Sequence, residues 1–282
     1  MKKIKRRDFL KVTGSGAAAI SVSGGSIGFT NILHGQEKKK STLNLGMASY
    51  TLRKFNVDDT IAMTKRLGLA HIAFKDFHLA LDSTIEKIHE VASKVRDAGL
   101  DLYGCGVVYM KNEDEVHQAF DYANAAGMRV IIGAPEHNLL ELINKKVQEY
   151  DIKLAIHNHG PGDQRYPSPQ SAYEKIKDLD HRMGLCIDIG HTKRIGLDPS
   201  EEAEKFADRL HDVHIKDVNS ASKEGKTIEI GRGVIDIPKF IRTLLKINYQ
   251  GNVSFEFEKD EDDPLPGVAE SMGYVRGVLD VV

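Results

Sequence analysis

The sequence predicts a single (β/α)8 barrel, and three observations carry that prediction. From residue 43 onward, short apolar runs alternate with amphipathic stretches eight times, with no two helices and no two strands in succession. The roughly 240 residues from 43 to 282 match the usual size of one such barrel. Four of the later apolar runs also end in His, Asp or Glu, at the strand ends where a parallel barrel gathers its chemistry. An open Rossmann-like sheet is the runner-up, weakened because no G-x-G-x-x-G follows the first strand.

The N-terminal segment stands outside that pattern. Lys5-Arg6-Arg7-Asp8-Phe9-Leu10-Lys11 is a twin-arginine pattern, followed by a mildly apolar run to about Leu33. Gly14, Ser15, Gly24, Gly25 and Ser26 interrupt the run, so it does not read as a membrane span. The expected organisation is a twin-arginine signal peptide over 1–35, a charged linker over 36–42, and the barrel over 43–282. This implies passage through the twin-arginine translocase to the periplasm, with no stable membrane insertion. Removing residues 1–35 takes away six Lys/Arg and one Asp, which moves the net charge from −2 to −7. So acidic a surface repels a phosphate backbone and disfavours nucleic acid as a partner. Cys105 and Cys186 fall in different predicted strands and read as core residues, without a disulfide framework.

Each predicted element has a local reason. Leu43 to Ser49 alternates as a first strand, and Val57, Ile61, Met63 and Leu67 recur at helical spacing behind Asn56 as N-cap. His71–Phe74 is the second strand. Ser83–Ala98 is an amphipathic helix stopped by Gly99. A third strand over Asp101–Tyr109, a helix over Glu113–Ala126, a fourth strand over Met128–Gly133 and a helix over Leu139–Tyr150 follow. The second half continues with strands at Lys153–His157, Gly184–Asp188, Asp212–Lys216 and Val253–Phe257. Helices are expected near Pro169–Leu179, Pro199–Leu210, Ile237–Ile247 and Val268–Leu279, with a glycine-rich loop before Ile237.

His157, Asp188, His214 and Glu256 end the fifth to eighth strands, and period-2 counting points all four inward. Two imidazoles and two carboxylates suit Mn²⁺, Zn²⁺, Co²⁺ or Fe²⁺ better than Mg²⁺, which prefers oxygen ligands. Lys75 ends the second strand, in phase with Ala73, and is a candidate to stabilise an enolate oxygen or to act as acid/base. The bland alternative is a Lys paired with Asp76. His159, which shares a face with His157, and His78 are candidates for substrate contact. So is Lys216, whose alternative is a rim ion pair with Asp217. Arg232, between Gly231 and Gly233, is a candidate hydroxyl or anion contact. Glu136 and His137 are weaker candidates for the mouth, and Glu258 and His211 are expected in supporting roles.

Cys186-Ile187-Asp188-Ile189-Gly190-His191, Val213-His214-Ile215-Lys216-Asp217, Ile230-Gly231-Arg232-Gly233 and Ser254-Phe255-Glu256-Phe257-Glu258 resemble the xylose-isomerase-like barrels, which include sugar epimerases, isomerases and inosose dehydratases. The resemblance is loose at first and close from Leu154 onward. It implies Asp188, His214 and Glu256 as metal ligands and His191 as a contact to a substrate hydroxyl. It also leaves a homodimer open, since barrels of this group often pair. One position departs. Where the family reads Leu-Glu-Asn-His on the fifth strand, this chain reads Ile156-His157-Asn158-His159, so the family's pair of opposed acid/base carboxylates is broken.

The expected function is therefore a divalent-metal-dependent, isomerase- or epimerase-like enzyme that abstracts a proton beside a carbonyl of a sugar or keto-sugar. A hydratase or lyase on 3-keto-sugars or 3-keto-glycosides is the close alternative, and a non-catalytic sugar-binding barrel the third. The endonuclease branch of the same barrel is disfavoured, because the third strand ends in Tyr109 and no His lies between Val218 and Val234.

Overall fold

The computed structural model describes residues 43–282. The twin-arginine segment and the linker lie outside them. Eight parallel strands close into a barrel: β1 (Asn44–Ala48), β2 (His71–Phe74), β3 (Asp101–Val108), β4 (Val130–Gly133), β5 (Lys153–His157), β6 (Met183–Asp188), β7 (Leu210–Ile215) and β10 (Asn252–Phe255). Between β7 and β10 runs a small antiparallel hairpin, β8 (Asp217–Val218) with β9 (Thr227–Ile228). β10 pairs with both β7 and β1, which closes the ring and leaves no barrel strand with an open edge.

The helices cover the outside. They are α1 (Val57–Arg66), α2 (Ile85–Asp97), α3 (Glu113–Ala126), α4 (Leu140–Tyr150), α5 (Pro169–Ile176), α6 (Ile189–Arg194), α7 (Pro199–Lys205), α8 (Ile237–Lys246) and α9 (Leu265–Val281). Their starts follow from local chemistry. Asn56, Thr84, Asn112, Ser168 and Asp236 each accept a backbone N–H of the first turn, and Gly127 ends α3 in the left-handed region. None of the described helices is long and apolar enough to cross a membrane.

Two details depart from strict alternation. The helix expected at Pro199–Leu210 is shorter, and a separate helix, α6, precedes it directly after β6, because Asp188 caps it and Gly196 stops it at positive φ. The loop after β7 carries the β8–β9 hairpin, held by one side chain. Asp217 turns away from the barrel interior and accepts the backbone N–H groups of Val218, Gly231, Gly233 and Ile235. A rim pair between Lys216 and Asp217 does not form.

The barrel interior below the mouth is partly polar. Tyr103 Oη lies 2.7 Å from Ser254 Oγ, and Cys186 Sγ contacts Asp212 Oδ1 at 3.7 Å. Burial pushes the Asp212 carboxyl up to about 7 and the Cys186 thiol well above its usual range. Cys105 and Cys186 are both buried free thiols.

Asp217→Ala is expected to destabilise the protein by about 2–4 kcal/mol, because several buried N–H groups lose their acceptor together. Arg232→Ala, which removes an exposed ion pair, should cost under about 1 kcal/mol. Thermal or denaturant unfolding of the two variants checks the ranking, and equal effects would refute it.

Candidate metal centre

His157, Asp188 and His214 lie at the carboxyl ends of β5, β6 and β7, and Glu256 directly follows β10. Register places them side by side: His157 is level with Cys186, Asp188 with His214, and His214 with Ser254. All four are buried, and one donor atom from each lies within 4.8 Å of every other. His157 Nε2 is 3.4 Å from Asp188 Oδ2, and His214 Nδ1 is 3.2 Å from Glu256 Oε2. Cys186 is also near His157 and His214, but its protonated thiol faces Asp212 and makes it a poor ligand.

Asp188 divides its two oxygens. Oδ1 accepts the backbone N–H of His191 at 2.7 Å and so caps α6, while Oδ2 points into the cluster. Asn158, which the sequence gave no cause to select, fixes this corner. Its Oδ1 accepts the Asp188 N–H, and its Nδ2 donates to Thr192 Oγ1.

Lys216 is the largest surprise. The period-2 rule turns it inward with His214, and its side chain is only 2% exposed. Its ammonium lies 2.6 Å from Glu256 Oε2 and 2.9 Å from Asp188 Oδ2, the latter outside hydrogen-bond alignment, and it also donates to Glu258. Expected to contact substrate, this ammonium instead serves the carboxylates of the cluster. Against the cost of burial, His191 and Lys216 hold Asp188 well below the usual carboxylate range, and His214 and Lys216 do the same for Glu256. Burial lowers His157 to about 3, so its imidazole is neutral. His214 is buried too, but Glu256 outweighs burial and raises it.

A divalent cation fits these residues on two counts. Both ring nitrogens of His157 and of His214 are buried without a hydrogen-bond partner, as is Asp188 Oδ2. Such orphans are costly unless something accepts their lone pairs. Three carboxylates against one ammonium also leave the cluster with an excess of negative charge, which a bound cation would offset.

The cluster opens into a mouth cavity of about 160 Å³, walled by Tyr50, Lys75, Tyr109, His159, His191 and Glu258 around His157 and Glu256. Lys75 lines the mouth, and its ammonium lies 2.8 Å from Asp76 Oδ1, the pairing given as its alternative. His159 Nε2 lies 3.0 Å from Tyr109 Oη, and Arg165 stacks over the same tyrosine ring. Arg194 Nη1 is 3.2 Å from His191 Nδ1. Because a guanidinium can only donate, that nitrogen carries the lone pair, and the ring proton of His191 sits on Nε2. Burial lowers both His159 and His191, which keeps them neutral at pH 7.

Other expected site residues go elsewhere. His78 is buried in the wall, bonded to Ser49 Oγ, Thr60 Oγ1 and the carbonyls of Leu52 and Phe55, so it braces the loop after β1. Arg232 forks onto Glu270 of α9 at 2.5 and 2.7 Å and is not brought to the cluster. Glu136 pairs with Arg165 and His137 bonds its carbonyl, which makes both rim braces. His211 bonds the His181 carbonyl at the opposite, amino end of the strands.

Residues 53–278 match the family described as xylose isomerase-like TIM barrel, and the chain belongs to it. It is similar to the rhizopine catabolism protein MocC of Rhizobium meliloti, at 26% identity over 145 residues, which are 46% of this chain and 44% of that one. It is also similar to the inosose dehydratase of Clostridium beijerinckii, at 22% over 249 residues, 82% of this chain and 74% of that one. The chain spans under half the length of the first curated relatives that it matches. Among solved structures, a 3-keto-D-glucoside 4-epimerase from E. coli superposes with a TM-score of 0.69 at 16% identity, covering 84% of this chain and 100% of that one. A D-tagatose 3-epimerase-like protein gives 0.69 at 18%, covering 85% and 98%. These likenesses show the fold, within a family of isomerases, epimerases and dehydratases whose members are often metal-dependent.

Purified protein is expected to hold about one divalent ion per chain. His214→Ala and Asp188→Ala should each weaken that binding by more than the roughly 10–100-fold typical of losing an outer partner of a ligand. Elemental analysis after dialysis against buffered metal checks this, and full occupancy in His214→Ala would refute the ligand set.

Proposed function

We propose that this barrel is a divalent-metal-dependent enzyme that abstracts a proton beside the carbonyl of a sugar or keto-sugar. The observation that carries the reading is the buried His157–Asp188–His214–Glu256 set, opening directly onto a mouth cavity of monosaccharide size. When bound, a divalent cation supplies Lewis acidity that polarises a carbonyl and acidifies the adjacent C–H. Of the four residues, only His157 and Glu256 line the mouth cavity. An imidazole that gives its lone pair to a cation cannot also take a proton, so Glu256 is the base. Lys216 and His214 hold that carboxylate ionised and fixed in orientation.

One base without an opposed carboxylate suits elimination or addition of water on a keto-sugar better than two-base epimerisation. The neutral imidazoles of His159 and His191 stand on the same mouth, and the Nε2–H of His191 is available to hydrogen-bond a departing hydroxyl. Lys75, across the cavity, is available to a developing enolate oxygen. Isomerisation is the second reading. It is favoured by the same single base, since Glu256 alone can return a proton to the neighbouring carbon.

We also propose the periplasm as the working compartment, on the strength of Arg6-Arg7 and the interrupted apolar run behind them. Replacing both arginines with lysine should leave the protein in the cytoplasmic fraction, and unchanged export would remove this proposal.

The functional test is NMR of metal-loaded protein with sugars and keto-sugars in D₂O. Exchange at a carbon next to a carbonyl marks proton abstraction, gain or loss of water marks a lyase, and net inversion marks an epimerase. Glu256→Gln should lower exchange by about 100-fold or more, and Glu258→Gln by less than about tenfold. The reverse order would move the base to Glu258. Binding of sugars with no exchange on any of them would favour a non-catalytic barrel.

A further inference from the structure

Beside the mouth lies a second cavity of about 350 Å³, between α6 and the β8–β9 hairpin. His191 and Glu258 line both cavities, so they stand at the junction, and Lys216 lines the second alone. Arg194, Lys226 and Lys259 complete the charged lining.

The charges there do not cancel. Lys216 is taken up by Asp188, Glu256 and Glu258, and Lys259 by Glu229 at 2.6 Å and Asp260 at 3.4 Å. Arg194 and Lys226 have no carboxylate partner among the described residues. Arg194 is nonetheless held in place: Nη2 donates to the Lys223 carbonyl at 2.7 Å and Nη1 faces His191 Nδ1. Its Nε is buried with no hydrogen-bond partner at all. A Cβ on Gly225 would lie 3.2 Å from Arg194 Cγ and closer still to the Ser220 carbonyl, so only glycine lets the loop close over the arginine stem. A guanidinium held on this wall without a carboxylate partner, with an unpaired lysine across the same space, matches an oxyanion.

We propose that this cavity is a second subsite that receives an anionic substituent of the sugar substrate, with Arg194 and Lys226 as its cationic ligands. The inference rests on the function proposed above and narrows the substrate class to acidic sugars, whose charge is a carboxylate, sulfate or phosphate ester. The sugar carbons occupy the mouth by the metal centre, and the charged group passes the His191–Glu258 junction. Arg194 thereby joins the two subsites, because the guanidinium that meets the anion also fixes the ring proton of His191.

The test is calorimetry on metal-loaded protein with D-glucose, D-glucuronate, D-glucose 6-sulfate and D-glucose 6-phosphate. At least one anionic ligand should bind about tenfold or more tightly than glucose, and which one wins identifies the oxyanion. Lys226→Gln should remove most of that preference while glucose affinity and metal content stay unchanged. Added salt should weaken the anionic ligand alone. Equal affinity for glucose and all three anions overturns the subsite and leaves the proposed function standing, as does a preference that survives in the Arg194→Gln/Lys226→Gln double variant. Failure of every sugar to bind or to exchange with solvent, with metal present, overturns the proposed function and the subsite together.

Discussion

Three carboxylates crowd one buried ammonium at the mouth of this barrel, and most of the site follows from the need to keep that arrangement stable. Asp188, Glu256 and Glu258 would repel one another strongly in a poorly solvated pocket. Lys216 holds them together, and it can do so because strand periodicity places it one pleat beyond His214. The surplus of negative charge and the orphaned imidazole nitrogens are then two views of one condition. The pocket is built around more positive charge than a single lysine provides.

The neighbouring residues divide into those that hold the candidate ligands and those that line the mouth. Asn158 and Thr192 lock the junction of β5, β6 and α6, and Asp217 ties down the loop behind Lys216. Neither Asn158 nor Asp217 reaches the mouth, yet both decide where the acids and imidazoles sit. His159, Tyr109 and Lys75 form the opposite wall. Where the resemblance expects a glutamate, His157 keeps the strand-end place as a lone-pair donor but brings neither the negative charge nor the carboxylate base.

The barrel was legible in the sequence because each element carries its own signal: alternating apolar runs, Asn and Ser caps, and glycine stops. The four candidate ligands were legible for the same reason, since a strand end fixes both position and direction. His78 and Arg232 were misplaced because they sit on irregular loops, where no period tells a side chain which way to face. Lys216 is a different failure. The rule that turned His214 inward turns Lys216 inward and Asp217 outward, so the alternative of a rim pair contradicted the periodicity that located the candidate ligands. The extra helix α6 was hidden by its length, six residues being too few for an amphipathic pattern.

The division of labour within Asp188 has a geometric consequence. One oxygen faces the cluster while the other begins α6, and that short helix carries His191 and Arg194. The six steps from Asp188 to Arg194 advance about 9 Å along a helix axis, and the Arg194 guanidinium turns back from there to meet His191. The chain thus contains a ruler, anchored at the cluster and ending at a guanidinium. On the proposed reading, a sugar would have to match that spacing between its reacting carbonyl and its charged end to fit both marks at once. Selectivity for chain length would on that reading be set by this short helix, before any contact to an individual hydroxyl.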